Sequence, residues 1–352
     1  MKRRLDEIGA LIEPDTAALI FTPVSRYYLT GFSSSLGYLF LTENRRVLLV
    51  DGRYFEAAAA SVSKEIEVVL LRNLAEQGKE LLAGKNRLLA ETANTVAEVR
   101  RFESLFSIPV EPLDALDARL MSLRSVKNEY EIACMEQAQR MAEAAFDFIL
   151  GFIRPGVSEL LIAAELEYRM KLAGSEEASF QTICVSGSKT SMPHGVPGDR
   201  CVENGDFVTM DFGAVYGGYH SDMTRTVAVG SVSQEMRRVY DTVLAANEAA
   251  EEKVSAGVTC AAVDRAARRL IEQAGYGEFF SHSTGHGVGL EIHESPNVSF
   301  KNTAELVCGQ IITVEPGVYL PGKFGVRIED MLAVTKNGYL NLTKSPKGLI
   351  II

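Results

Sequence analysis

Gly205-Asp-Phe-Val-Thr-Met-Asp211 and Gly309-Gln-Ile-Ile-Thr-Val-Glu315 read as two copies of one strand, alike in the opening glycine, the threonine and the closing acid. The segments ahead of them also repeat. A long amphipathic helix begins near Asn128, with Ile132, Met135, Ala138, Ala142, Ala145 and Ile149 at helical spacing. It is followed by Pro155-Gly-Val-Ser158 and a second helix over about residues 158–173 that stops at Gly174. The same order returns as a helix over about 233–254, Ala256-Gly-Val-Thr259, and a shorter helix ending at Gly275. A period of about 100 residues is too long for a solenoid. Residues 121–340 are therefore predicted to be two halves of one domain, related by a pseudo-twofold duplication.

The duplication sets four acids in two pairs. Asp211 and Asp222 flank a hairpin predicted to centre on Tyr216-Gly217, which places them directly opposite each other, and Glu315 and Glu329 repeat the arrangement around Pro321-Gly322-Lys323. Cross-strand neighbours stand about 4.5–5.5 Å apart at Cβ, so such acids repel unless a cation lies between them. Each also sits in an apolar or small-residue run, where an unpaired carboxylate is costly to bury. Between the copies, Ser281-His-Ser-Thr-Gly-His-Gly-Val-Gly-Leu-Glu-Ile-His-Glu294 carries three of the five histidines, His282, His286 and His293. Glycines around His286 leave room for close approach. Two acid pairs and His286 form a nitrogen and oxygen donor set for two divalent cations, and four negative charges balance two dications.

Composition agrees with a soluble globular chain. The 352 residues are 47% hydrophobic and 23% charged, enough for two domains. A net charge of -10 argues against a nucleic-acid or anionic-membrane partner. The N-terminal Met-Lys-Arg-Arg-Leu-Asp lacks the apolar core of a signal peptide, and no run reaches the length of a membrane span, so a cytoplasmic location is expected. The five cysteines, Cys134, Cys184, Cys201, Cys260 and Cys308, are widely spaced without a C-x-x-C pair and read as buried free thiols.

Residues 1–120 are predicted to form a separate mixed α/β domain. Short apolar runs at 17–21, 38–42, 46–50, 66–70 and 87–90 read as strands, and 54–61 and 74–82 as helices. Asp51-Gly-Arg-Tyr54 reads as a turn and helix start. With no histidine and no phosphate-binding loop there, the chemistry is assigned to residues 121–352.

In order, Asp-Phe-Gly-Ala214, Ser221-Asp-Met-Thr-Arg-Thr226, the histidine stretch, Thr313-Val-Glu-Pro-Gly317 and Gly325-Val-Arg-Ile-Glu-Asp330 resemble the pita-bread metallopeptidases, the superfamily of methionine aminopeptidase, aminopeptidase P and prolidase. The first domain is similar to the N-terminal domain of creatinase, prolidase and aminopeptidase P, through Tyr28-Leu-Thr-Gly-Phe32 and Asp51-Gly-Arg-Tyr54. The resemblance implies an α/β (α+β) chain with a pita-bread catalytic domain and two divalent ions, manganese or cobalt first, zinc or iron as alternatives. It makes Asp211 a chelator, Asp222 and Glu329 bridging ligands, and His286 and Glu315 the completion of the second site. It also implies that Glu315 moves the proton, that His293 binds the scissile carbonyl oxygen, that His194 in Ser191-Met-Pro-His-Gly195 contacts the scissile nitrogen, and that His282 lines the proline side. Arg327, two residues before Glu329, is read as orienting a ligand carboxylate, and His220 as structural.

Within the family, the two-domain layout and His282 turn the reading away from methionine aminopeptidase. An intact set of ligand positions turns it away from creatinase, which works without metal. The expected activity is hydrolysis of Xaa-Pro bonds in proline-containing peptides by a homodimer, as a dipeptidase. The alternatives are aminopeptidase P activity on longer chains and a pita-bread binding protein without catalysis. Asn297 in His293-Glu-Ser-Pro-Asn297 stands where compact prolidases often carry arginine.

Overall fold

The computed structural model describes residues 2–352, residue 1 lying outside the described set. The chain separates after Arg124, and the second compact unit is Ser125–Ile352. The boundary predicted at residue 120 falls inside the helix Asp114–Ser125.

The first unit holds a six-stranded mixed sheet in the order Glu67–Leu70, Arg46–Val50, Tyr38–Leu41, Thr16–Ile20, Arg87–Ala90, Val110–Pro112. Tyr38–Leu41 runs antiparallel to both neighbours, and the remaining pairs are parallel. Thr16–Ile20 and Tyr38–Leu41 are buried at every position, as strands covered on both faces are, which is why they read as unbroken apolar runs. The helices Pro23–Thr30 and Val96–Phe106 were not evident from periodicity. The latter carries a signal of its own, a capping box between Thr95 and Glu98. Asp51-Gly-Arg-Tyr54 is a turn in which Arg53 pairs with Asp51 at 2.7 Å before the helix Phe55–Ser61.

The second unit repeats one pattern. Helices Glu129–Leu150 and Glu159–Leu172 precede the antiparallel strands Phe207–Phe212 and Met223–Ala228; helices Gln234–Glu251 and Cys260–Gln273 precede Ile311–Val314 and Asp330–Thr335. The echoed turns do the same work in each half. Gly156 and Gly257 both take positive φ, 91° and 85°, which favours glycine. Ser158 and Thr259 then cap the following helices by accepting from Leu161 N and Ala262 N. The halves join where Glu329 N donates to Thr224 O at 3.1 Å and Thr226 Oγ1 donates to Arg327 O at 3.0 Å. Each half has its own apolar core between helices and sheet.

A buried polar network fastens this seam from beneath. Arg225, 1% exposed, donates to Asp330 Oδ1 at 2.7 Å and to the carbonyls of Thr224, Glu329, Ser345 and Pro346. Although Asp330 is buried, Arg225 and Lys347 bring its carboxyl down to about 2. Lys347 also bonds Asn247 Oδ1 at 2.8 Å, and Asn247 Nδ2 donates to Val314 O at 2.8 Å and Ile328 O at 3.3 Å. Those carbonyls immediately precede Glu315 and Glu329.

Cys134, Cys184 and Cys260 are buried as expected, but Cys201 and Cys308 are exposed. Both lie in loops leading into the repeated strands, beyond the reach of either core. Among the described residues no helix is long and apolar enough to cross a membrane.

Replacing Arg225 by methionine leaves the Asp330 carboxylate short of its main partner in a dry site. Breaking a buried pair from one side costs about 3–5 kcal/mol, so R225M should unfold at a clearly lower denaturant midpoint. A midpoint equal to that of the parent chain would show the network to be dispensable.

Candidate metal centre and substrate cavity

The first acid-bearing hairpin turns at Gly217-Gly218, one residue later than the sequence suggests: Tyr216 pairs with Tyr219 and Asp211 with Thr224. Both glycines have positive φ, 58° and 72°, as a two-residue type I′ turn requires. Asp222 is therefore diagonal to Asp211 rather than directly opposite. In the second hairpin Val314 pairs with Asp330 and Gly317 with Arg327, so Glu315 and Glu329 stand opposite in one continuous register. His286 arrives on the short strand Gly285–Gly287, between the strands Glu294–Val298 and Ile311–Val314. The approach is tight, since a Cβ at Gly285 would lie 2.0 Å from Thr313 O.

These side chains line one cavity of about 590 Å³, together with His194, His282, His293, Asn297 and Arg327. Ligand atoms of Asp222, His286 and Glu329 lie within 4.8 Å of one another. His286 Nε2 is 3.5 Å from Asp222 Oδ2 and 3.4 Å from Glu315 Oε1. Gly287 O, 3.1 Å from Nδ1, can only accept, so the proton of a neutral ring sits on Nδ1 and the Nε2 lone pair faces two carboxylates. Burial favours that neutral ring by lowering the His286 pKa. Burial, and then the neighbouring acids, hold the Asp222 and Glu329 carboxyls well above the usual range. Burial likewise lifts Glu315 to about 8, against the pull of Arg327.

Lone pair against carboxylates, and carboxylates against each other, is repulsive unless a cation stands among them. Asp211 Oδ1 is buried without a hydrogen-bond partner. One imidazole and four carboxylates suit a first-row divalent ion, so these residues fit such a group.

Arg327 is wholly engaged nearby. Its Nη2 donates to Asp211 Oδ2 at 2.6 Å, Nε to Thr224 Oγ1 at 3.0 Å, and Nη1 to Tyr319 Oη at 2.8 Å and Pro193 O at 3.2 Å. Tyr319 Oη donates in turn to His282 Nε2 at 2.9 Å, because His282 Nδ1 gives its proton to Ser283 O at 2.8 Å. Burial, and then Arg327, bring the His282 pKa down to about 4, so it is a neutral wall. The His293 ring lies 4.4 Å from that of His286, and His194 also lines the cavity and is exposed.

His220 lies outside the cavity lining, its Nδ1 within 2.9 Å of Ser179 Oγ. Tyr319 and Thr224, which hold Arg327, and residues 180–183 of the wall escaped sequence reading. Nothing local marks an uncharged residue on a strand or in the loop before it as part of a site.

If cations relieve this repulsion, the chelated protein should gain stability on adding manganese, by about 2.7 kcal/mol at a hundredfold excess over Kd. D222A should lose that gain. An unmoved thermal midpoint in the parent chain would end the metal reading.

Residues 133–336 match metallopeptidase family M24, and residues 14–126 match the creatinase/prolidase N-terminal domain. The chain is 36% identical over 353 residues to a Xaa-Pro dipeptidase of Pyrococcus furiosus, covering 99% of this chain and 100% of the relative. Among solved structures, the Xaa-Pro dipeptidase from Bacillus anthracis superposes with a TM-score of 0.94 at 38% identity, covering 100% of this chain and 99% of the other. The X-Pro aminopeptidase from Thermotoga maritima superposes with a TM-score of 0.92 at 37% identity, covering 99% of this chain and 100% of the other. Matching over both domains and with a duplicated catalytic unit of pita-bread type, the chain belongs to metallopeptidase family M24.

Proposed function

We propose that the chain hydrolyses Xaa-Pro bonds, as a dipeptidase in the first instance. The observation that carries this is the single cavity where four acids and His286 converge beside His194, His282 and His293. Asp211, Asp222, His286, Glu315 and Glu329 would hold two divalent ions. Manganese or cobalt is the first choice, zinc or iron the second. Bound there, such ions would supply Lewis acidity to the scissile carbonyl and lower the pKa of water towards neutrality.

The chain's own groups do the rest. Glu315 takes a proton from the attacking water and returns it to the leaving nitrogen. His293 donates to the carbonyl oxygen as negative charge develops on it. His194 contacts the scissile nitrogen from the exposed loop after Ser191. Neutral and tied to Tyr319, His282 offers a fixed wall to the proline ring. A binding protein without catalysis has no observation in its favour.

Aminopeptidase activity on longer peptides is a second reading with a specific observation behind it. A dipeptidase must read the free carboxylate of proline, for which a cation is the strong partner. Arg327 is the only lysine or arginine among the cavity-lining residues, and its nitrogens are already bonded. Asn297, paired across the strands with His286, is uncharged. A cytoplasmic location and a homodimer remain part of the proposal, on the sequence and the family resemblance.

Comparing kcat/KM for a Xaa-Pro dipeptide and the same peptide extended by two residues tests the activity and its length preference together. A charge-assisted contact contributes about 1.5–3 kcal/mol, so a dipeptidase should prefer the dipeptide by at least about tenfold. Equal or faster cleavage of the longer peptide makes the enzyme an aminopeptidase, and cleavage of neither removes the proposal. For assembly, sedimentation velocity should give twice the chain mass of 38.4 kDa; a fully active monomer refutes the dimer.

A further inference from the structure

The wall that carries His194 is irregular chain. It leaves the strand Ile183–Ser186, passes through the short 3₁₀ turn Gly187–Ser191, and returns past Gly198. Both ends are fastened to one carboxylate. Glu159, the first residue of the helix Glu159–Leu172 and 0% exposed, accepts at Oε1 from Ser186 N at 2.7 Å and Ser186 Oγ at 2.9 Å. At Oε2 it accepts from Lys189 Nζ at 2.6 Å and Gly198 N at 3.0 Å. The backbone of the same turn holds the returning segment, Glu159 N donating to Arg200 O at 3.0 Å and Leu160 N to Gly198 O at 3.1 Å.

This arrangement exceeds what the helix needs. Ser158 already caps it through Leu161 N, and a carboxylate in the first turn gains from the helix dipole without entering the interior. Glu159 instead spends all four of its acceptor positions on the two ends of one loop, three of them on neutral donors and one on an ammonium. Further along, Thr190 Oγ1 accepts from Gly325 N at 2.8 Å, and Pro193 O accepts from Arg327. The loop is thereby closed at its base by Glu159 and tied at its middle to the guanidinium that holds Asp211.

We propose that Glu159 and Lys189 are positioning residues for His194: by clamping residues 186–189 to residue 198 they fix where the loop presents that imidazole to the substrate. The proposal rests on the reading of His194 as a substrate-contacting group. Lys189 is the member to change, since its side chain is 27% exposed and its loss leaves Glu159 three donors. Glu159→Gln is the harsher variant, because an amide directs N–H groups at donors in a buried site.

The test is a double-mutant cycle on a Xaa-Pro peptide with the metal-loaded enzyme: parent, K189M, H194A and K189M/H194A. A small misplacement of a contacting group is enough to cost about ten- to a hundredfold. K189M should therefore lower kcat/KM about tenfold in the parent and leave the H194A background unchanged, with metal content equal throughout. Hydrogen exchange of the amides of Met192, His194, Gly195 and Val196 should quicken about tenfold in K189M, and more in E159Q if that variant folds. An equal loss in both backgrounds, or loop exchange at the parental rate, overturns the proposal. Should the parent chain cleave no Xaa-Pro peptide, the functional reading fails by itself, and loop exchange still decides whether the clamp exists.

Discussion

Four carboxylates and the bare nitrogen of His286 share the floor of one cavity, and the rest of the catalytic unit is arranged to make that tolerable. Asp222 and Glu329 are nearly inaccessible to water, at 4% and 1% exposure, so solvent cannot screen them. Arg327 neutralises part of the charge, but its nitrogens bond Asp211, Thr224, Tyr319 and Pro193 and none of the other acids directly. What remains is a rigid pocket in which Asp222, Glu315 and Glu329 are held above the usual carboxylate range, so that the acids ionise together only against a counter-charge. Its complement is a compact multivalent cation, which can touch several oxygens at once where a side chain cannot.

Rigidity comes from the duplication. Each half supplies a strand that ends in an acid and a hairpin that brings back a second, and the two hairpins face each other across the seam at Thr224 and Glu329. Beneath the seam, Arg225, Asp330 and Lys347 hold the backbone one residue beyond Glu329, while Asn247 pins the residues just before Glu315 and Glu329. The acids have little freedom to move apart. A carboxylate on a mobile loop would escape the repulsion by swinging into solvent; these cannot.

On the proposed function, substrate selection falls to the rim. His293 and His194 are exposed there, and Asn297 and the loop after Ser191 complete it. An acid-lined floor beneath a rim of histidine and asparagine fits the two tasks of the proposed function, activation below and recognition above. A dipeptidase and an aminopeptidase both superpose closely on this chain, so the overall fold does not by itself separate the two activities.

The duplication, the acid pairs and the histidine stretch were legible in the linear sequence because each is local: a repeated Gly-x-x-x-Thr-x-acid strand, helix caps at matching places, and three histidines in one short run. Ligand types follow from such patterns without coordinates. Register did not follow, since whether a turn centres on Tyr216-Gly217 or on Gly217-Gly218 depends on the φ values the pair adopts, and a single step moves Asp222 from opposite Asp211 to diagonal. Arg327 could be placed on the face of Glu329 by alternation alone, but its partners Tyr319, Thr224 and Pro193 come from different elements. The same holds for Glu159, which in sequence is an ordinary first-turn acid and in space closes a loop through residues 27 and 39 positions away. Local pattern determines which groups a strand or helix carries; only packing between distant segments decides which of them meet, because hydrogen bonds and charge act over a few ångströms, regardless of distance along the chain.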